Sequence, residues 1–305
     1  MGAYIIKRIA VGLVTIFLVA TITFFLMYLV PGGPFLSEKS PSKQTIEALE
    51  RKYGLDKPVY IQYINYMKGL IKLDLGPSIK MRGRDVVDII KTRFPISAKL
   101  GGLAMLLAIC IGIPMGTFSA INRGKWFDNI VMVICTLGIA VPSFVVATVL
   151  MYFFGVTLHI LPTRGLESPA HYILPVIALS FYPTAYISRL MRSSMLDVLG
   201  QDYMRTAKAK GLSQFKSLFK HALRNAILPI ITYLGPALAY ILTGSLVVEK
   251  IFTIPGLGRQ FVSSITDRDY PLIMGLTIFL AFLLITMNVI VDIIYKIIDP
   301  RIKLK

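Results

Sequence analysis

Six stretches of this chain, residues 9–30, 100–121, 130–154, 172–187, 227–248 and 272–291, contain no Lys, Arg, Asp or Glu. Most run close to the ~20 residues with which a helix covers hydrocarbon about 30 Å thick. Backbone N–H and C=O groups find no partner in lipid, so a segment of this kind crosses as a helix. The pattern predicts an all-α polytopic membrane protein with six transmembrane helices. Composition agrees: 55% of the 305 residues are hydrophobic and 16% charged, against roughly 45–50% and 25% in soluble domains. A soluble domain, a disordered chain and a disulfide-stapled module are thereby excluded. The fourth stretch is short and is expected to tilt little or to lean on its neighbours. The first follows Lys7 and Arg8 as a signal peptide would, yet it runs on to Pro31 without a small-x-small cleavage site. It reads as a retained anchor.

Charge supplies the orientation. Of 33 Lys and Arg residues, sixteen fall in the segments 1–8, 122–129, 188–226 and 292–305, and four in the short loops on the other side. The remainder lie in 31–99, a connection too long to count. Both termini are therefore expected to face the cytoplasm, and the net charge of +17 is a topology signal with attraction to anionic membrane lipid. Nucleic-acid binding is not expected, because no basic run is interleaved with aromatics as a single-strand groove requires. Cys110 and Cys135 lie inside apolar stretches and read as small buried residues rather than a disulfide or metal pair.

The segment 31–99 is predicted to be a small extracytoplasmic helical insertion. A helix is expected from Pro41 to Tyr53, ending at Gly54, and another from Pro58 with Tyr60, Ile64, Met67 and Ile71 at helical spacing. Residues 75–78 read as a turn, and Arg84–Arg93 as a short helix stopped before Pro95. A cap over the bundle and a docking surface for another protein both remain open. In the loop 188–226, Asp202 is expected to cap a helix 203–210 and Gly211 to supply its left-handed C-terminal position. A second helix from Gln214 to Asn225 follows, with Phe215, Leu218, Phe219 and Leu223 on its apolar side. Two short helices joined at a glycine make a knob able to enter a groove; a basic loop lying on the lipid surface is the plainer alternative.

Arg205-Thr206-Ala207-Lys208-Ala209-Lys210-Gly211-Leu212, then His221-Ala222-Leu223-Arg224-Asn225-Ala226-Ile227-Leu228-Pro229, resemble the EAA loop of permease subunits in binding-protein-dependent ABC importers. The form with Arg-Thr-Ala in place of the acidic start is similar to the peptide branch. Leu29-Val30-Pro31-Gly32-Gly33-Pro34, Tyr53-Gly54-Leu55-Asp56-Lys57-Pro58, Asp74-Leu75-Gly76, Gly112-Ile113-Pro114-Met115-Gly116 and Phe252-Thr253-Ile254-Pro255-Gly256-Leu257-Gly258 resemble further signatures of its B-type subunit. Gly33 replaces the usual Asp, and Pro77 follows Asp-Leu-Gly.

The resemblance implies a type I importer half in a bacterial inner or plasma membrane. Its implied partners are a homologous C-type permease, two cytoplasmic ABC ATPases and an extracytoplasmic peptide-binding protein. Tyr203, Arg205, Thr206, Ala207, Ala209, Lys210, Gly211, Leu212, Arg224, Asn225 and Pro229 would form the surface coupled to the ATPases. Oligopeptides or dipeptides are the implied cargo; nickel, glutathione and opine importers share the architecture.

The residues bear on this independently. No Gly-x4-Gly-Lys-Ser/Thr loop occurs, so no cofactor is expected on this chain, and ATP and Mg are expected on partner subunits. Ion-coupled carriers place ionisable groups at mid-membrane, and these six stretches have none. Asp292, at the edge of the sixth, reads as an i,i+4 partner of Lys296. No catalytic or metal constellation is expected, since the three His residues fall in connections and Gly244-Ser245 reads as a helix-packing pair. A wide, weakly polar path is expected, with Ser143, Tyr233, Tyr240, Thr243, Ser245 and Asn288 as candidates to line it.

Overall fold

The computed structural model describes residues 2–31, 33–35 and 43–298, with the side chains of 2–5, 208, 214 and 295–298 outside that description. The expected helix start at Pro41, Gly32 of the Pro-Gly-Gly-Pro motif, the Lys296 side chain and the tail beyond 298 therefore lie outside the described residues. Helices account for nearly all regular structure among those described. Five are long and apolar enough to cross a membrane, and a sixth span is available if one sharply bent pair counts as one. The helices group into two compact units, residues 1–96 with 256–285, and residues 97–255 with 286–305.

In the first unit, α1 (Gly2–Leu29) is followed by α2 (Lys43–Tyr53) and α3 (Val59–Ile71). Gly54 ends α2 at φ +68°, the left-handed position that glycine adopts without steric cost. α3 lies along α1. The Tyr63 hydroxyl bonds Thr21 at 2.8 Å, and the Tyr66 ring stacks on Phe24 at 5.7 Å. Of the residues at helical spacing, Tyr60, Ile64 and Ile71 are exposed and Met67 is half-buried, while residues 63 and 66 make the contact with α1. Helical spacing shows that a segment is helical but does not by itself choose the face that meets a neighbour. Burial pushes the Tyr66 phenol above its ordinary range.

The same unit is closed by the start of α4 (Val86–Ile121), by α13 (Leu257–Thr266) and by the start of α14 (Tyr270–Ile298). Val86, Ile89, Ile90, Leu257, Leu272 and Leu276 form their shared core. Asp269, buried just before α14, accepts hydrogen bonds from the Ser78 hydroxyl and the N–H groups of Ile79 and Lys80. It thereby pins the turn that precedes α4 to the start of α14. The predicted stop before Pro95 does not occur: α4, 36 residues long in all, continues through it. Proline deprives only one carbonyl of its helical partner, and a helix packed among others absorbs that loss.

In the second unit, the remainder of α4 is followed by α5 (Trp126–Ala140) and α6 (Ser143–Leu150), which runs on as a π-helical turn Met151–Thr157. The predicted third span is not one straight helix: its two arms are bent by 103°. Pro142 disfavours the α conformation in the residue before it, and Val141 is extended at φ −85°, ψ 122°. Next comes α7 (Ala170–Leu199), longer than the fourth apolar stretch because it carries on past Arg189 and Arg192.

α7 packs against α5 and α6, and also against α10 (Leu223–Ala226), α11 (Leu228–Leu242) and α12 (Leu246–Ile251). Its approach to α4 depends on Gly112 and Gly116. A Cβ at Gly112 would meet the Thr184 carbonyl oxygen at 3.1 Å, and one at Gly116 would meet Met191 at 2.8 Å. The Ser188 hydroxyl bonds the Gly112 carbonyl at 3.1 Å across this contact. The predicted fifth span is interrupted. Gly244 takes φ +91°, and the Ser245 hydroxyl accepts from Val248 N–H as the N-cap of α12. Gly244-Ser245 is therefore a helix break and cap, not an interhelical packing pair.

Two helical glycines separate close approach from mere helix propensity. A Cβ at Gly275 would meet Val86 at 2.5 Å, whereas one at Gly102 meets nothing within 4 Å. Gly275→Ala is expected to cost about 1–3 kcal/mol through overpacking, and Gly102→Ala to gain up to about 1 kcal/mol. Thermal midpoints of the detergent-purified protein should move in opposite directions.

Candidate coupling site

The segment after α7 folds as α8 (Asp202–Ala209), a turn, α9 (Gln214–Lys216), a π-helical turn Ser217–Ala222, and α10. The second helix expected at 214–225 is thus a helical run widened in its middle. Gly211 sits at φ +76°. Lys210 N–H bonds the Thr206 carbonyl at 3.0 Å, and Leu212 N–H reaches back to the Ala207 carbonyl at 3.3 Å. The latter six-to-one bond closes a helix C-terminus around a left-handed residue and uses up a carbonyl that would otherwise be unpaired.

Within this segment Met204, Ser217, Ala222 and Ala226 are buried and form the inner side. The outer side carries Tyr203, Arg205, Thr206, Ala209, Lys210, Gly211, Leu212, Arg224 and Asn225, with Ala207 half-buried between the two. Phe215 and Phe219 are also exposed, their rings 4.5 Å apart. Asn225 donates to the Tyr203 hydroxyl at 2.8 Å, stapling the end of the segment to its beginning. Asp202 opens α8 and pairs with Arg205 at 3.7 Å. Pro229 occupies the first turn of α11, where a missing N–H costs nothing. Ile231 N–H bonds the Ile227 carbonyl at 3.1 Å, so α10 passes into α11 with little interruption.

A second constellation stands where α7 meets the turn between α4 and α5. Asp128, buried in the first turn of α5, accepts from Arg192 through both carboxylate oxygens, at 2.6 and 2.7 Å. The Ser119 hydroxyl donates to it at 2.5 Å and Gly124 N–H at 2.9 Å. Four donors satisfy the buried carboxylate, and Arg192 is itself only partly exposed, so removal of one partner is costly. Sequence reasoning counted Arg192 as a topology charge and passed over Asp128. One signal was available: Asp128 is the only acidic residue between Asp88 and Glu167. Glu249, fully buried in α12, was also passed over; it accepts from the Ser97 hydroxyl at 2.6 Å.

The residues expected to line a path are only partly brought together. Tyr233 and Tyr240 lie on α11, and the Thr243 hydroxyl bonds the Tyr240 carbonyl at 2.6 Å. Asn288 is near that helix, 3.4 Å from where a Cβ on Gly235 would be. Ser245 is engaged in capping α12. Ser143 opens α6 immediately after the bend, and no hydrogen bond among the described residues joins it to the others. Tyr186 of α7, absent from the expected set, stacks on Tyr233 at 4.4 Å.

Comparison with known proteins agrees with this architecture. Residues 112–304 match the family described as binding-protein-dependent transport system inner membrane component, and residues 1–101 match its N-terminal companion. The dipeptide transport system permease protein DppB of Bacillus subtilis is 48% identical over 304 residues, covering 100% of this chain and 99% of that protein. The oligopeptide transport system permease protein OppB of Haemophilus influenzae is 45% identical, covering 99% and 100%. A chain of the MetNI methionine ABC transporter, solved in inward-facing conformations, shares the fold with a TM-score of 0.56 at 16% identity. The match covers 70% of this chain and 97% of that one. With the helices, the signature loop and full-length relatives in agreement, the chain belongs to the family of inner membrane components of binding-protein-dependent transport systems and is a multi-pass bacterial membrane protein.

Proposed function

We propose that this chain is one half of the channel of an ATP-driven importer of oligopeptides or dipeptides. It would pair with a homologous C-type permease, receive cargo from an extracytoplasmic binding protein and be worked by two cytoplasmic ATPases. Relatives named for dipeptide and oligopeptide transport support peptide as the cargo. The observation that carries the mechanism is the turn at Gly211, which presents α8 and the helical run 214–226 as one compact, outward-facing knob.

Force on the knob has a short route inward. The Tyr203–Asn225 bond keeps the knob from opening, and α10 leads almost unbroken into α11, so a push on residues 203–225 turns the base of α11. On the other side, the knob follows α7, which the Asp128–Arg192 pair ties to the α4–α5 turn. Closure of the ATPases would therefore move α4, α5, α7 and α11 together, switching the path between outward-open and inward-open states. ATP and Mg belong to the ATPases in this scheme, and this chain supplies no nucleotide site.

Three measurements test it, the first of them in the reconstituted four-subunit complex with its binding protein. A Cβ at Gly211 meets nothing within 4 Å, so substitution there acts through backbone strain alone. Left-handed geometry costs about 1–2 kcal/mol for an ordinary residue, and more for a β-branched one. Gly211→Val should uncouple ATP hydrolysis from peptide uptake while Gly211→Asn keeps most of the coupling; equal uptake by both variants would count against the knob. Asp128→Asn should lower the thermal midpoint of the purified permease by about 5 °C or more. Arg192→Lys, which keeps the charge but loses the two-pronged contact, should fall between. Finally, the purified chain alone should neither bind nor hydrolyse ATP, as read by calorimetry and phosphate release.

A further inference from the structure

Four tyrosines on α7 and α11 make up a surface that the coupling scheme leaves unused. Tyr182 and Tyr186 stand one turn apart on α7, with rings stacked at 6.2 Å. Tyr186 passes the stack to Tyr233 of α11 at 4.4 Å. Tyr240 follows two turns along that helix, on the same face by helical spacing, and is 83% exposed. Tyr182 and Tyr186 are 43% and 36% exposed and Tyr233 is half-buried, so the stack is open on one side. None of the four hydroxyls has a hydrogen bond among the described residues.

Depth makes this arrangement informative. Interfacial tyrosines sit at span ends, where the ring is in hydrocarbon and the hydroxyl in water. Tyr182 instead lies well inside the apolar stretch 172–187 and Tyr240 near the middle of the span Leu228–Ile251, while Tyr186 and Tyr233 stand toward the ends of their apolar stretches. A phenol facing hydrocarbon at that depth forfeits its hydrogen bonds, and a row of them does so repeatedly. No Lys, Arg, Asp or Glu occurs in 172–188 or 225–248 to compete for these hydroxyls or to charge the surface. A strip of hydroxyl-tipped rings without charge, running from near the end of the apolar stretches to mid-depth and unpaired within the chain, is suited to something polar that passes along it.

We infer that Tyr182, Tyr186, Tyr233 and Tyr240 form the strip along which peptide moves, contacting main-chain amides with their hydroxyls and side chains of any kind with their ring faces. The inference rests on the importer reading above and assigns it a contact surface. Each hydroxyl both donates and accepts, so it serves amide N–H and C=O alike, whatever the peptide sequence. Absence of fixed charge matters equally. A peptide carries a charge at each end, and an ion pair in a site of low dielectric is worth several kcal/mol, enough to hold cargo that must leave.

The test uses the complete complex in proteoliposomes, with Cys110 and Cys135 replaced by Ala. Single cysteines are introduced as Tyr182→Cys and Tyr240→Cys, with Ala178→Cys as a reference at a fully buried position of α7. A charged, membrane-impermeant thiosulfonate reagent is applied during turnover, with and without trialanine supplied by the binding protein. Labelling at 182 and 240 is expected about tenfold above the reference, and saturating trialanine should suppress it. In parallel, Tyr186→Phe and Tyr233→Phe, which remove only the hydroxyl, should each lower trialanine uptake about two- to tenfold.

Labelling by lipophilic but not by charged reagent would mean that lipid or a helix of the partner permease covers the strip, and the inference falls. It also falls if charged labelling is indifferent to trialanine, or if both Phe variants transport at the full rate. Each of these outcomes leaves the importer reading intact provided the unsubstituted complex takes up trialanine. If that complex takes up no peptide, the parent reading fails first and this one with it.

Discussion

Hydrocarbon offers a polypeptide backbone no hydrogen bonds, and that single deficit decides where this chain can and cannot depart from a helix. Every long apolar segment is helical, and each departure is provided for locally. At Val141–Pro142 the chain turns through 103° where proline would have broken the ladder in any case. At Thr243–Ser245 the glycine takes the left-handed conformation, and the serine hydroxyl caps the helix that follows. At Gly211, outside the apolar segments, the six-to-one bond to Ala207 occupies the last carbonyls of α8. The breaks are thus confined to residues whose own chemistry covers the exposed groups.

Packing in the second unit follows from a related need. Between helices in lipid there is little hydrophobic drive, so contact must come from close backbone approach and hydrogen bonds. Gly112 and Gly116 provide the approach between α4 and α7, and Ser188 adds the hydrogen bond. Asp128 and Arg192 then fasten the same helix at its polar end. In the proposed mechanism this makes α7 the member that ties the knob to the rest of the unit, since it is held at two levels and leads directly into α8.

Much of this was legible in the sequence. Apolar blocks of about 20 residues disclosed the spans, because length and absence of charge are one-dimensional properties. Gly54 as a helix end, Gly76 within a turn and Gly211 as a left-handed helix terminus were readable for a similar reason: each is a local matter, and all three have positive φ. What escaped depends on partners distant along the chain. Pro95 reads as a stop, yet it is carried inside α4. Nothing in the run of residues around Tyr60 says which side of α3 meets α1. Tyr182 and Tyr186 look like ordinary span residues until Tyr233, 47 positions beyond Tyr186, comes to lie against them. Asp128 acquires its meaning only through Arg192, 64 positions away.

The bend at Pro142 bears on what the two arms beside it must lean on. Each arm, Trp126–Ala140 and Ser143–Thr157, is about 22 Å long at 1.5 Å per residue, short of the roughly 30 Å between the two headgroup layers. Neither arm alone is long enough to cross the bilayer, and the corner at Val141–Pro142 needs a companion helix beside it. That companion is α7, against which both arms pack. The bent pair thus depends on α7 for the partner surface that a single straight helix of full length would not require.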